Sequence, residues 1–343
     1  MNIEDEIKDY ARKIGIAATG VTGPERLDIA LPIYRRRIQR GYLTGFEDRD
    51  LELRLDPRRT MTGVQSIISV AVPYNVDYVP RTKPTFHGQI ARVAWGRDYH
   101  VVVSEKMTKI SELLNEHFPD LKYTLMVDTG PLLDRVIAWR GGLGWFGKNN
   151  TLIVPRVGSW VFLGEILINK RLRADSPIQG DCGQCEECLK ACPTKALVEP
   201  YMLNGRICLS YLTQTADPLP DWIVPKIERR IYGCDVCQQV CPYNKGAPKI
   251  GDRAFTPHLL DPHPDLLDLI SMDRRRYVET VAQTSAGWVG RDIIQRNAIV
   301  ALADYKDPST LPTVEKLRDD DRQLISDASR WATKVIRGEI RPH

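Results

Sequence analysis

Apolar positions in the first half of the chain recur at both helical and strand spacing. Ile7, Tyr10, Ala11 and Ile14 repeat every three or four residues, which predicts an amphipathic helix over residues 4–18. Residues 66–74 are a run of apolar and β-branched side chains, which is typical of a buried strand. The pattern further predicts a strand over 123–128, a helix over 132–140, and a hairpin of 151–155 with 160–169 turning at 156–159.

A helix predicted around residues 32–40 carries a run of basic side chains, namely Arg35, Arg36, Arg37 and Arg40. Such a run is most often a solvated helix face, and it is also compatible with an anion-binding surface. The sequence leaves both interpretations open.

Beyond residue 250 the pattern is helical and repetitive. Residues 295–305 and 313–318 are predicted to pair as one helix–turn–helix, and residues 321–336 begin another. Residues 296–302 resemble a HEAT-type helical repeat. Two such units are short for an independent solenoid, so we expect them to pack on the rest of the chain.

Composition divides the 343 residues into three parts. We expect an α/β domain over 1–168, a segment rich in Gly, Pro and Cys over 169–250, and a helical region over 251–343, which together make an α+β protein. The net charge of +4 permits an anionic partner without requiring one. The acidic N-terminus and the lack of long apolar runs predict a cytoplasmic protein that does not bind membranes, and nothing suggests an obligate oligomer, so we expect a monomer.

All eight cysteines lie in the middle segment, and their spacing indicates iron–sulfur clusters. Cys182, Cys185, Cys188 and Cys192, followed by a proline, have the C-x2-C-x2-C-x3-C-P spacing of bacterial ferredoxins. In ferredoxins with two clusters, the fourth cysteine of such a run ligates the other cluster. This spacing therefore predicts two 4Fe–4S clusters whose ligands cross between runs.

A second run of cysteines lacks its first member, and a cysteine from the segment between the two runs can replace it. Cys234, Cys237 and Cys241 have the later spacings, but Ile231 stands where the first cysteine would be. Cys208 is the remaining cysteine and can take that place. The predicted ligand sets are Cys182, Cys185, Cys188 and Cys241 for one cluster, and Cys192, Cys208, Cys234 and Cys237 for the other.

Zinc and disulfides are the alternatives, and both fit poorly. Zinc prefers paired C-x2-C units and has no use for a crossed C-P pattern. Disulfides are disfavoured where thiols stay reduced. Two clusters in one small fold indicate electron transfer, although they do not identify what is reduced.

Several further motifs accompany the cysteines. They are Gly96-Arg97-Asp98-Tyr99-His100, Asp128-Thr129-Gly130-Pro131-Leu132-Leu133-Asp134-Arg135, Gly142-Leu143-Gly144-Trp145-Phe146-Gly147-Lys148-Asn149, and Cys208-Leu209-Ser210-Tyr211-Leu212-Thr213. With the cysteine array, they make the whole chain resemble the epoxyqueuosine reductases, the cobalamin-dependent enzymes of queuosine biosynthesis.

The resemblance implies a fold, two kinds of cofactor and a substrate. It implies a nitroreductase-like cobalamin-binding domain, a ferredoxin-like 4Fe–4S domain and C-terminal HEAT-like repeats that help to bind tRNA. The expected reaction reduces epoxyqueuosine to queuosine at the wobble position of a tRNA, with electrons from an external donor passing through the clusters to cobalt. Reductive dehalogenases share the cofactor design, so a dehalogenase-like enzyme acting on a small substrate is the alternative.

Asp134 is the expected proton donor to the epoxide oxygen. It lies among Leu132, Leu133, Val136 and Ile137, and an apolar pocket raises the pKa of a carboxyl group. A carboxylate near a helix N-terminus can equally be structural, and the resemblance favours the catalytic role. Asp128 fits a turn-capping role instead.

The expected cobalamin contacts come from several motifs. We read the glycine-rich turn at 141–148 as a close backbone approach to a large planar ligand. His100 is expected to contact an amide rather than to ligate cobalt. The complete set is Arg58, Arg97, Asp98, Tyr99, His100, Asp134, Lys148, Asn149, Ser159, Ser210, Tyr211 and Thr213.

Basic side chains in the helical region are the candidate contacts to tRNA phosphates. They are Arg274, Arg275, Arg276, Arg291, Arg296, Lys316 and Arg318. Such contacts supply affinity without reading sequence, and the modified base itself must be turned out into the active site.

Overall fold

The structure, a computed structural model, describes residues 2–79 and 84–340. Its strands in chain order are β1 (Ala18–Thr22), β2 (Ser66–Pro73), β3 (Gln89–Ile90), β4 (Tyr123–Met126), β5 (Trp145–Phe146), β6 (Leu152–Ile153), β7 (Val161–Ile168), β8 (Leu197–Glu199), β9 (Met202–Leu203) and β10 (Arg230–Tyr232). Its helices are α1 (Ile3–Lys13), α2 (Leu31–Gln39), α3 (Leu51–Leu55), α4 (Pro57–Thr60), α5 (Tyr99–His117), α6 (Asp134–Arg140), α7 (Glu187–Ala191), α8 (Leu209–Leu212), α9 (Val224–Ile227), α10 (Val236–Gln239), α11 (Leu266–Ile270), α12 (Arg274–Glu279), α13 (Arg291–Ala303), α14 (Leu311–Glu315) and α15 (Gln323–Ile336).

A four-stranded antiparallel sheet organises the N-terminal part, in the order β1-β2-β7-β4. Every residue of β2 is buried because helices cover both faces of the sheet. On one face, Ile68 and Val70 pack with Val103 and Met107 of α5, and α1 packs beside α5. On the other face, α6 packs against β2 and β7. The sheet thus provides a rigid base for the start of α6, where Asp134 lies.

The predicted elements match this part except at one hairpin. The first helix ends at Lys13 rather than near 18, because a turn at Gly15, whose φ is +83°, leads directly into β1. The prediction that 151–155 and 160–169 form a hairpin is wrong. Residues 152–153 form β6 and pair with β5, whereas β7 pairs with β2 and β4. A single bridge between Val154 and Gly158 is all that joins the two predicted arms.

The cysteine-rich segment is built from short elements that pack on the sheet domain. Helices α7 and α10 pack against each other, and the parallel pair β10–β3 joins this segment to the N-terminal part. Helix α2 packs on β9, and its Arg36 and the following Arg40 form ion pairs with Glu199 at the end of β8. The basic run of α2 therefore links two parts of the chain rather than being only a solvated face.

The C-terminal helices pack around α13. Residues 293–303 of α13 are all buried, and α11 and α15 pack against it, while α14 packs on α15. Helix α13 also contacts β10, so the helical region is joined to the cysteine-rich segment. Within the described residues, no helix is long and apolar enough to span a membrane.

Candidate functional site

The first predicted set of cysteines lines one cavity. Cys182, Cys185, Cys188 and Cys241 surround it, together with Lys148, Asn149, Ile153, Pro242 and Tyr243. Cys241 comes from the second run and enters the cavity of the first. The packing of α7 on α10 produces this exchange because it brings the two runs side by side.

The second set also gathers in one place. Burial raises the pKa of the Cys208 thiol to about 11, and the neighbouring Cys234 and Cys192 contribute to the same shift. Cys237 is half-buried and lies close to Cys208 and Cys234. This neighbourhood supports the ligand set that includes the isolated Cys208.

The eight cysteines are not arranged for disulfides or for a single metal ion. All eight are free thiols. Among residues 2–79 and 84–340, no three Cys, His, Asp or Glu side chains converge closely enough to hold one ion. Four thiols lining one cavity, with Cys241 entering from the second run, fit the ligand exchange of a two-cluster ferredoxin better than a zinc site.

Asp134 begins α6 among charged side chains that remain accessible although protein surrounds them. Its side chain is only partly accessible, and burial followed by the field of Asp128 raises its pKa to about 7. Arg135 and Asp128 are exposed, yet protein surrounds both densely enough for burial to act on their pKa values. We infer from these accessible charged groups within dense protein that Asp134, Asp128 and Arg135 line a recess, called the cleft below. A carboxyl group that titrates near neutral pH can donate a proton there.

Asp128 is held in the ionised form beside Asp134. Its φ of +56° is unusual for a residue other than glycine, and Tyr99 donates a 2.7 Å hydrogen bond to its carboxylate. His100 Nε2 lies 3.8 Å from the same carboxylate, and His100 Nδ1 lies 2.7 Å from Asp98. Burial alone lowers the pKa of His100, but the two carboxylates raise it to about 9. The site therefore contains a cationic imidazole beside an anionic Asp128.

Three arginines around Asp134 were not predicted as site residues. Arg54 and Arg135 both act on the Asp134 carboxyl, and Arg37 lies near Arg135. Arg37 pairs with Glu47 at 3.0 Å, and Arg135 donates to the backbone carbonyl of Asn150. Scattered single arginines give no sequence signal, although the basic run of α2 included one of them.

Two exposed aromatic side chains, Phe46 and Trp288, were also missed. They form an aromatic group with the half-buried Tyr211, which was a predicted cobalamin contact. Phe46 contacts Tyr211 and Trp288 edge-on, with ring centroids 5.0 Å apart in both cases. Phe46 and Trp288 are 50% and 57% exposed. Trp288 donates a hydrogen bond to Tyr232, whose pKa is raised by burial and by Asp128. Tyr232 thus connects the aromatic group to the cleft.

The glycine-rich turn packs against protein, which corrects our interpretation of its glycines. A Cβ atom on Gly144 would lie 2.2 Å from the Ile153 carbonyl oxygen, and one on Gly142 would lie 2.6 Å from that of Ser176. Lys148 donates to the Gly183 carbonyl and Asn149 to the Cys237 carbonyl. These residues therefore support the cluster cavity rather than presenting an open backbone to a ligand.

The other predicted contacts fall into two groups. Arg58 pairs with Asp56, and Arg97 pairs with Glu105, both at the surface. Ser159, Ser210 and Thr213 form hydrogen bonds inside the protein: Ser159 with Gln238 and Asn244, Ser210 with Gln214, and Thr213 with Leu209 and Gly233. Asp98, Tyr99, His100, Asp134 and Tyr211 surround or adjoin the cleft.

Arg296 is wrongly predicted as a phosphate contact. It is 3% exposed and donates to the carbonyl oxygens of Leu212 and Thr215. Burial lowers its pKa to about 10. The adjacent Asn297 donates to Thr213 and Ile231. Both side chains tie α13 to the segment after Cys208.

Comparisons with protein families match two parts of the chain. A family model described as epoxyqueuosine reductase QueG, DUF1730, matches residues 54–129. A model of a 4Fe-4S double cluster binding domain matches residues 181–244. The second range contains all eight cysteines, and the first ends just after Asp128.

Curated relatives are similar over almost the whole chain. The epoxyqueuosine reductase of Bacillus subtilis strain 168 is 39% identical over 343 residues, covering 97% of this chain and 88% of the relative. That of Staphylococcus aureus strain NCTC 8325 is 37% identical, covering 98% and 90%.

Solved structures agree with these relatives. An epoxyqueuosine reductase bound to a tRNA-Tyr stem loop modified with epoxyqueuosine superposes with a TM-score of 0.92 at 39% identity, covering 98% of this chain and 91% of that one. A Bacillus subtilis epoxyqueuosine reductase, described as having its Asp134 catalytic loop swung out of the active site, gives 0.91 at 37% identity with the same coverage.

Proposed function

The chain belongs to the epoxyqueuosine reductase family, and from that premise we propose that it reduces epoxyqueuosine to queuosine at the wobble position of a tRNA. The observation that carries the proposal is Asp134, a carboxyl group with a pKa of about 7 in the cleft beside a domain for two clusters. The reaction removes the epoxide oxygen as water and consumes two electrons and two protons.

We propose two 4Fe–4S clusters and cobalamin as the cofactors. The cysteine sets described above are the proposed cluster ligands. A corrin carries a ring of carboxamide side chains and needs a deep recess with free donors. The cleft fits that need, and Asn150 Nδ2 is a buried donor without a hydrogen-bond partner in the described chain, on the residue whose carbonyl accepts from Arg135. When bound, the clusters deliver electrons singly to the corrin cobalt, which supplies the reducing centre.

The order of the cysteine sets suggests a direction for the electrons. Cys234 follows Tyr232 by two residues, and Tyr232 lies beside Asp128 and Trp288. The set containing Cys208 and Cys234 is therefore the proposed neighbour of the cleft. The set containing Cys182 and Cys185 is the proposed entry for an external electron donor.

The cleft residues divide the remaining tasks. Asp134 donates a proton to the epoxide oxygen as the carbon–oxygen bond breaks. Asp128, fixed by Tyr99 and paired with His100, keeps a negative charge nearby and so favours the protonated form of Asp134. Arg135 and Arg54 oppose that effect and limit the rise in the pKa of Asp134.

For tRNA, we propose that the aromatic group of Phe46, Tyr211 and Trp288 contacts an unstacked base at the cleft. Every base has a stacking face, and exposed aromatic side chains bind unpaired bases in this way. Arg37, Arg54 and Arg135 supply positive charge close by. The exposed Arg274, Arg275, Arg276, Lys316 and Arg318, with the half-buried Arg291, are the proposed distal phosphate contacts.

The finer description of the fold is also a proposal. A sheet with helices on both faces supports a nitroreductase-like cobalamin-binding domain over 1–168. The crossed cysteine runs support a ferredoxin-like domain over 169–250. The packing of α15 against both α13 and α14 supports HEAT-like repeats within 251–343. We further propose a cytoplasmic monomer, because a tRNA substrate and eight unpaired cysteines suit a reducing compartment.

The test is complementation of a bacterial strain that lacks its own epoxyqueuosine reductase. Expression of this chain should convert the epoxyqueuosine in bulk tRNA to queuosine, measured by mass spectrometry of digested nucleosides. Expression of the Asp134→Ala variant, made to the same level, is the control and should leave epoxyqueuosine in place. Accumulated epoxyqueuosine in cells that contain cluster-loaded wild-type protein would overturn the proposal.

A further inference from the structure

Glu165 is a fully buried carboxyl group without a protein partner. It is 0% exposed in the middle of β7, and neither carboxyl oxygen forms a hydrogen bond within the part of the chain that the structure describes. Its cross-strand neighbour Ser69 is equally buried, and its hydroxyl group also lacks a partner there. Buried polar groups are normally satisfied because each unsatisfied one destabilises the fold, so such a pair needs a reason.

The register of the sheet directs Glu165 toward α6. Side chains alternate between the two faces of a strand. Leu167 of β7 packs with Ile137 of α6, whereas Gly164 faces Met107 of α5. Glu165 shares its face with Leu167, and α6 begins at Asp134. Met126, opposite Glu165 on β4, packs in the same cluster as Ile137.

The charged groups that act on Glu165 are both acidic. Burial, then Asp134 of α6, then Asp128 of the loop after β4 raise the pKa of Glu165 well above that of an ordinary carboxyl. On β2 it faces Ser69, which does not titrate. Among the described residues, no arginine, lysine or histidine forms an ion pair with Glu165. Burial and the two acidic neighbours therefore favour the neutral form of Glu165.

Resting on the proposed function, we propose that Glu165 is a positioning residue that stores the second proton of the reaction behind Asp134. Opening the epoxide consumes the proton of Asp134 and leaves its carboxylate. Glu165 then passes its proton to Asp134, and Asp134 protonates the departing oxygen, which leaves as water. The two electrons come from the cofactors already proposed, and the carboxylate of Glu165 finally regains its proton from solvent.

The kinetic test compares Glu165→Gln with wild-type holoenzyme in single turnovers of epoxyqueuosine-containing tRNA. Gln keeps the shape but cannot release a proton. We expect conversion by the variant to slow roughly tenfold or more at pH 8, with the deficit shrinking toward pH 6 because solvent then reprotonates Asp134 more readily. Glu165→Asp should restore part of the rate, and Ser69→Ala is the matched control for disturbing the same site. Rates equal to wild type at every pH would overturn the proposal.

A second measurement does not depend on the stability of the Gln variant. In the Asp134→Asn holoenzyme, infrared spectroscopy at pH 8 should show a protonated-carboxyl band that shifts in deuterated water. Absence of that band would overturn the proposal, whatever the kinetics show. Failure of the wild-type enzyme to form queuosine would instead overturn the proposed function, and the infrared result would still decide the state of Glu165.

Discussion

Replacing Asp134 by Asn should remove activity and at the same time stabilise the fold at neutral pH. The pKa of Asp134 rises from 3.8 to about 7 in the folded protein. A rise of this size corresponds to a pH-dependent contribution to the free energy of unfolding of about 4 kcal/mol at most. Because Asp134 is partly exposed, we expect a contribution of about 2 kcal/mol. Because the folded-state pKa lies above the unfolded one, wild-type protein loses this stability as pH rises from about 4 to about 7. The Asn variant does not.

The assay is anaerobic thermal unfolding of cluster-loaded wild-type and Asp134→Asn proteins between pH 5 and 8. We expect the Tm of the variant to exceed that of the wild type by a margin that grows to about 3 °C near pH 7 and then stays level. Asp128→Asn is the matched control and should lower the Tm at neutral pH, because His100 holds the pKa of Asp128 below its usual value. Turnover of Asp134→Asn should fall by about 10²–10⁴. A Tm difference that is independent of pH would show that folding does not raise the pKa of Asp134.

Three further substitutions test a proposed cluster ligand, a buried arginine and a proposed contact to tRNA. Cys208→Ala should remove roughly half of the iron and one of the two cluster signals in electron paramagnetic resonance, because one ligand set loses a member; an unchanged iron content would contradict that set. Arg296→Met should lower the free energy of unfolding by about 2–4 kcal/mol, since it leaves the Leu212 and Thr215 carbonyls unpaired, without altering the KM for tRNA. Trp288→Ala should raise the KM for tRNA roughly tenfold by removing a stacking surface, while kcat stays within about twofold; an unchanged KM would exclude this contact.

The cysteine ligand sets stay a prediction, and the sequence allows it because their chemistry is encoded in local spacing. The gap at Ile231 and the single spare cysteine left one consistent assignment, and the folded chain gathers the same eight residues. The raised pKa of Asp134 could be predicted from the sequence for a related reason. Its apolar neighbours on a short helix already predicted a carboxyl group with a raised pKa.

Residues whose roles depend on distant partners could not be predicted in this way. Glu165 occupies one position in an apolar strand, and only the pairing of β7 with β2 and β4 shows that it is buried next to Ser69. The same pairing made the predicted hairpin wrong, because β7 finds its neighbours far away in the sequence. Arg296 looked like a surface cation on a repetitive helix, but α13 turned out to be buried on all sides.

A reaction with the purified protein tests most directly whether this chain reduces epoxyqueuosine in tRNA. The chain is loaded with iron, sulfide and cobalamin, reduced anaerobically, and mixed with tRNA that carries epoxyqueuosine, and the digested nucleosides are analysed by mass spectrometry. We predict a product lighter than epoxyqueuosine by one oxygen atom that matches queuosine, formed by the wild type and not by Asp134→Asn. Unchanged epoxyqueuosine after incubation with fully loaded, reduced wild-type protein would contradict the assignment of epoxyqueuosine reductase activity to this chain.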